Sequence, residues 1–321
     1  MPKTLAKAPG DGAYWAEIRI TTKLDGYDAK PVSSYDRWLF RPNIDGQRYL
    51  LASTTDKEWE DSHDTGTEPW DVEHVYVDEY GSVLGIFDSR TAAHADRVVE
   101  AVSEAKDDDS LVIPESLQPS AGLGTVVYML SDQRMINGLS GSAVGNPAEP
   151  DGLTIAIPAD VNDASAGTAA YRVAFNPSDA DQPAMVFDRL IRHEMTHATL
   201  GAHTQGVPTW LNEGIAEYVS VQNLPRSERR LPSDALAVGA TAQSLPTTED
   251  FAGADAPAWY GVSWWVCQYI ANTYGQRTLW TLFEQLSGGA DQDQVIPSLL
   301  HITPEVLVRR GVDLMTSTYS S

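Results

Sequence analysis

His193, Glu194 and His197 occur in the order H-E-M-T-H, in a chain with seven histidines in all. On an α-helix, residues four apart lie one turn apart on nearly the same face, so both imidazoles can reach one ion. Glu194 falls about 100° round from His193. It stands near such an ion without binding it, where a general base for a metal-activated water belongs. The bland alternative is a surface helix carrying two unpaired histidines. Met185, Phe187, Leu190, Ile191 and Met195 provide the apolar residues that would bury the helix instead.

A catalytic zinc takes three protein ligands and keeps a fourth position open. Sixteen residues after His197, the stretch "PTWLNEGIAEYVS" places Trp210, Leu211, Ile215 and Val219 as the apolar stripe of a second helix. Glu213, early in that helix, is the natural third ligand, and "GAHTQGV" supplies the turn between the two helices. Glu217 follows one turn later on the same face. A ligand histidine commonly gives its other ring N–H to a carboxylate, and Glu217 is the candidate for that role. The alternative for Glu217 is an exposed helix carboxylate.

"HEMTH" followed by "WLNEGIAEY" resembles the gluzincin zinc metallopeptidases. "WLNEG" is similar to the motif of the membrane alanyl aminopeptidase family, and with "AWYGVSWWVCQYIANTYG" the wider pattern looks closest to bacterial peptidase MA-like domains. The resemblance implies one Zn²⁺ held by His193, His197 and Glu213, with Glu194 as base. It also implies a tyrosine beside the reacting carbonyl. Tyr260 is the closest match, and packing beneath the site is the alternative; Tyr218 and Tyr269 rank below it. Zincins keep an edge strand that pairs with extended substrate, a place Arg172, Val173, Ala174 and Phe175 could fill; an internal strand is the other reading. The upstream Gly-Xaa-Met-Glu-Asn motif that holds a free amine in aminopeptidases has no counterpart between residues 110 and 192. An endopeptidase is therefore favoured over an aminopeptidase.

The elements that must position these residues read as an α+β protein. Tyr14 to Leu24 alternates with period two, as a half-buried strand does. "SYDRWLFRP" and "GQRYLLAST", joined by "NIDG", suggest a hairpin, and "VEHVYVDEYGSVLGIFDS" two further strands. Residues 13 to 88 thus predict a curved antiparallel sheet of about five strands, followed by a helix from Thr91 that "DDDS" ends near 108. Strands are predicted at "LVIPES", "GTVVYML", "GLTIAIPA" and "YRVAFNP", and helices at 183–200, 208–222, 259–274, 277–286 and 304–314. The polar stretch 224–255 reads as an excursion or lid. The expected division is a leader at 1–12, a binding or spacer domain at 13–107, and a zincin-like domain at 108–321 with a small mixed sheet and a helical subdomain. The first domain faintly resembles the cystatin-like nuclear-transport-factor superfamily, through "EPWDVEHVYVDEYGSVLGIFD".

Composition narrows the partners. The net charge of −23, from 45 acidic against 22 basic residues, disfavours nucleic acid. No apolar run is long enough to span a membrane. The lone Cys267 sits among aromatics as a buried apolar residue and rules out a cysteine-only zinc site. "EDSHDTGTE" at 60–68 lacks the calcium-loop pattern and reads as a solvated turn. The expected function is a zinc metallopeptidase acting on a peptide or protein substrate, its oligomeric state open. The alternative is a non-catalytic or latent zinc-containing scaffold. The resemblance implies an extracellular or cell-envelope location and leaves the cytoplasm open.

Overall fold

The computed structural model describes residues 5–8, 12–63, 69–119, 123–132, 142–144, 151–232 and 234–319. Four strands, β1 (Leu5–Lys7), β2 (Tyr14–Thr22), β3 (Val32–Pro42) and β4 (Tyr49–Ser53), form an antiparallel sheet in chain order. The alternation of β2 places it against β3 from Tyr14↔Phe40 to Thr22↔Val32. The "NIDG" turn between β3 and β4 forms as expected: Asn43 Oδ1 accepts from the amides of Gln47 and Arg48, and Gly46 supplies a φ of 67°. The leader expected at 1–12 is corrected by β1, whose Leu5 pairs with Ala16.

The five-strand sheet expected over 13–88 stops at β4. β5 (Tyr76–Tyr80) and β6 (Val83–Phe87) form the hairpin their pattern indicates, but β6 runs parallel to β7 (Thr125–Met129), from Val83↔Thr125 to Phe87↔Met129. The reason lies in "VLGIF", which does not alternate: Val83, Ile86 and Phe87 are all buried, as suits a strand covered on both faces. A six-strand mixed sheet results, in the order β5-β6-β7-β10-β9-β8, with β8 (Ser142–Val144), β9 (Gly152–Pro158) and β10 (Thr168–Phe175).

Before the site come two short helices, α1 (Lys57–His63) and α2 (Pro69–Val72), and a long one, α3 (Ala95–Val112). α1 takes up the start of the 60–68 turn, and residues 64–68 lie outside the described residues. α3 continues through Asp107–Ser110, so a domain boundary at 107/108 would cut a helix and part β6 from β7. The acidic run fails to end it because Asp109 points inward and accepts a hydrogen bond from Thr196 Oγ1 at 3.4 Å. The strand expected at "LVIPES" is this helix's end and a 3₁₀ turn at Glu115–Leu117.

α4 (Ala184–Leu200) lies beside α3 on one face of the six-strand sheet. Phe187, Ile191 and Met195, each one turn apart, join Val98, Val99, Val127, Met129 and Val173 in one apolar layer. Beyond it, α5 (Thr209–Ser220), α6 (Ala235–Thr241), α7 (Ala256–Tyr274), α8 (Gln276–Leu286), α9 (Gln292–Leu300) and α10 (Pro304–Tyr319) bury a separate helical core. Sequence patterning missed α9, which contains Pro297. α5 and α7 touch at Gly214, where an added Cβ would lie 2.7 Å from Ser263 O and 2.8 Å from Cys267 Sγ. Cys267 is fully buried there, and burial pushes its thiol pKa up.

Candidate metal centre

The stripe of α4 that faces away from the sheet carries Arg189, His193 and His197, one turn apart. Both histidines fall about 200° round the helix from the residues two places before them, Ile191 and Met195. Burying the apolar stripe therefore aims the imidazoles at α5. Gly201, with φ 47°, ends α4 where a Cβ would meet the Tyr171 ring at 2.8 Å. The 201–208 segment then turns the chain back, and Glu213 and Glu217 of α5 face the α4 stripe. The result is an antiparallel ladder of alternating charge: Arg189 pairs with Glu217, Glu217 Oε1 lies 3.1 Å from His193 Nδ1, and Glu213 Oε2 lies 3.3 Å from His193 Nε2 and 3.2 Å from His197 Nε2.

Three donor atoms converge. The two Nε2 atoms are 3.2 Å apart, so with Glu213 Oε2 they form a nearly equilateral triangle. A tetrahedral zinc with ligand bonds of ~2.0–2.1 Å requires edges of about 3.3–3.4 Å. The triangle is that size, and all three side chains are buried. Among the described residues, no fourth histidine, cysteine or carboxylate joins the cluster, and Glu213 Oε1 has no hydrogen-bond partner. Donor types, spacing and burial fit a zinc ion with an open coordination position.

The electrostatics favour a cation at the same point. Burial opposes ionisation of Glu213, yet His197 and His193 outweigh it and hold the carboxyl down to about 2. Burial likewise opposes Glu217, and Arg189 with His193 brings it to about 2. At His193 burial disfavours the imidazolium, but Glu213 and Glu217 prevail and raise the pKa well above the usual histidine range. The lone pair that holds this proton is the one a metal would take.

Glu217 does more than accept from a histidine. Arg189 pins it from the far side, donates to Arg230 O at 2.7 Å, and stacks over the Trp264 ring at 5.1 Å. In the sequence, the only signal for Arg189 is its place one turn before His193. With its Nδ1–H given to Glu217, His193 would present the Nε2 lone pair to a bound metal. Replacing Glu217 by Gln is expected to weaken zinc binding about 10- to 100-fold, measured by competition with a chromogenic chelator. Unchanged affinity would show that the contact does not tune the ligand.

Glu194 and Tyr260 line one small cleft with the three metal-facing residues, together with Val144, Gly152 and Leu153. Neither Tyr218 nor Tyr269 is part of that lining. Glu194 Oε2 lies 2.8 Å from Thr154 Oγ1. Tyr260 sits near the N-terminal end of α7, its ring edge-on to His193 at 5.8 Å and to Phe251 at 5.2 Å. Phe251 belongs to the 224–255 excursion, which is packed down rather than loose: Ala235, Leu245 and Phe251 are buried.

The substrate strand expected at Arg172, Val173, Ala174 and Phe175 is corrected. These residues form β10, hydrogen-bonded to β7 on one side and β9 on the other, so no backbone edge is free for a peptide. Arg172 turns to the opposite sheet face, where it is buried in an ion pair with Asp28. The internal-strand reading is the one that holds, and the partner of Arg172 lies 144 residues away in the chain. Among the described residues, the outermost strand at the site end of the sheet is β8, and its Val144 reaches the cleft.

No protein-family model matches this chain, and no curated protein matches it either. Function must therefore be read from the residues of the site.

Proposed function

We propose that the chain is a zinc-dependent peptide hydrolase of the gluzincin kind. One observation carries the reading: the 3.2–3.3 Å triangle of His193 Nε2, His197 Nε2 and Glu213 Oε2, with Glu194 and Tyr260 lining the same cleft. A zinc ion held by those three atoms supplies the Lewis acidity that makes water a competent nucleophile near neutral pH. Glu194 takes the proton of the attacking water and returns it to the leaving amine. Tyr260 donates its phenolic proton to the developing oxyanion of the scissile carbonyl. Glu217 and Arg189 keep His193 in its ligating tautomer. An extended peptide lies along β8, the outermost strand at this end of the sheet, by strand addition. Three protein ligands rather than four among the described residues favour the hydrolase over a zinc-held scaffold.

The test is metal analysis of the purified chain with digestion of a diverse peptide library before and after chelation. One zinc per chain, with cleavage lost on chelation and restored by added zinc, is the expected result. Zinc-replete protein that cuts nothing in the library would defeat the proposal.

A further inference from the structure

We propose that Thr154 is the positioning residue for the general base, and that it divides the work between the two oxygens of Glu194. The inference rests on the peptidase reading above. Thr154 Oγ1 lies 2.8 Å from Glu194 Oε2 and 3.0 Å from Glu194 O. A hydroxyl has one proton to donate, and a charged carboxylate oxygen is a stronger acceptor than a peptide carbonyl. Oε2 is therefore the anchored oxygen.

The anchor is stiff. Thr154 is fully buried in the middle of β9, where Val144 of β8 and Val173 of β10 flank it in register. Its β-branched side chain has restricted rotation about χ1. Two residues earlier on the same face of the strand, Gly152 provides a recess. A Cβ there would stand 2.7 Å from Glu194 Cγ and 3.1 Å from Oε1. One strand thus makes room for the carboxylate at Gly152 and grips its far oxygen at Thr154. Oε1 is left to accept the proton from water. A base carboxylate free to rotate would spend much of its time with neither oxygen aligned to the water, and that misalignment is a rate cost.

Thr154→Val keeps the shape and removes the hydroxyl; Thr154→Ser keeps the hydroxyl. With the best peptide from the library digest, the Val variant is expected to lose about 10- to 100-fold in kcat, with KM within about 2-fold. The Ser variant is expected to stay within about 3-fold of the parent. Both should hold one zinc per chain. A crystal structure of zinc-loaded Thr154→Val should show the Glu194 carboxylate displaced by about 1 Å or more, with His193, His197 and Glu213 in place. Undiminished kcat in the Val variant, a Ser variant as impaired as Val, or an undisplaced carboxylate would each overturn the proposal. A parent protein without hydrolytic activity defeats the peptidase reading instead, and the position of Glu194 in the Val variant still decides the role of Thr154.

Discussion

Glu194→Gln is expected to bind one zinc per chain, keep its fold, and lose about 10²- to 10⁴-fold in kcat. The geometry separates these outcomes. Glu194 is not one of the three converging donors, so removing its charge leaves the ligand triangle intact. Glutamine has nearly the same shape, so the recess at Gly152 still accepts it, and its amide can still meet Thr154 Oγ1 as donor or acceptor. What is lost is the ability to hold a proton between attack and departure of the amine. Zinc content by elemental analysis, thermal unfolding and single-substrate kinetics check the three parts. Activity within about tenfold of the parent would remove Glu194 from the mechanism.

The site was far more legible than the fold that carries it. His193, Glu194, His197, Glu213 and Glu217 all lie on two consecutive helices, and helical periodicity alone places them: four-residue spacing puts partners on one face, and a short turn sets the helices antiparallel. Gly152 and Val144 line the same cleft and Thr154 bonds to Glu194, all from two neighbouring strands 40 or more residues from Glu194 in the chain. Nothing local in "DGLTIAIP" distinguishes a threonine that grips a carboxylate from one that fills a strand. That information exists only in the pairing of β9 with its neighbours and the seating of α4 across it.

Strand membership failed for a related reason. Sequence patterning identified β2, β5, β6, β9 and β10 as strands, β2 by its period of two, since pleat and burial are local properties. It does not say which strand pairs with which. β6 went to the wrong sheet because its hairpin with β5 is a local contact, while its bond to β7 closes over the whole of α3. The internal place of β10 is equally non-local, since Asp28, which neutralises Arg172, comes from the loop after β2. The acidic run at 107–109 read as a helix stop for want of the same long-range knowledge: Thr196, on the metal-site helix, gives Asp109 its buried partner.

Glu213→Ala is expected to abolish zinc retention, and with it all zinc-dependent stability. Two imidazoles one turn apart still converge, but two neutral nitrogens in a buried pocket replace a site that carried one full negative charge. Affinity should fall by at least about 10³-fold, or roughly 4 kcal/mol at 1.4 kcal/mol per tenfold. Ligand that binds the folded state alone stabilises it by RT ln(1 + [L]/Kd). A chelator should therefore lower the Tm of the parent and leave that of Glu213→Ala where it is. Glu213→Gln offers the graded comparison, because it keeps an oxygen ligand and discards the charge. It should fall between the parent and the alanine variant in both zinc affinity and chelator-sensitive Tm. The ordering separates ligation from packing: Glu213 is fully buried, so truncation alone costs stability, but that cost persists when chelator is present. A parent whose Tm ignores chelation, or an alanine variant that still holds zinc stoichiometrically, would mean that the ion is not bound at this triangle.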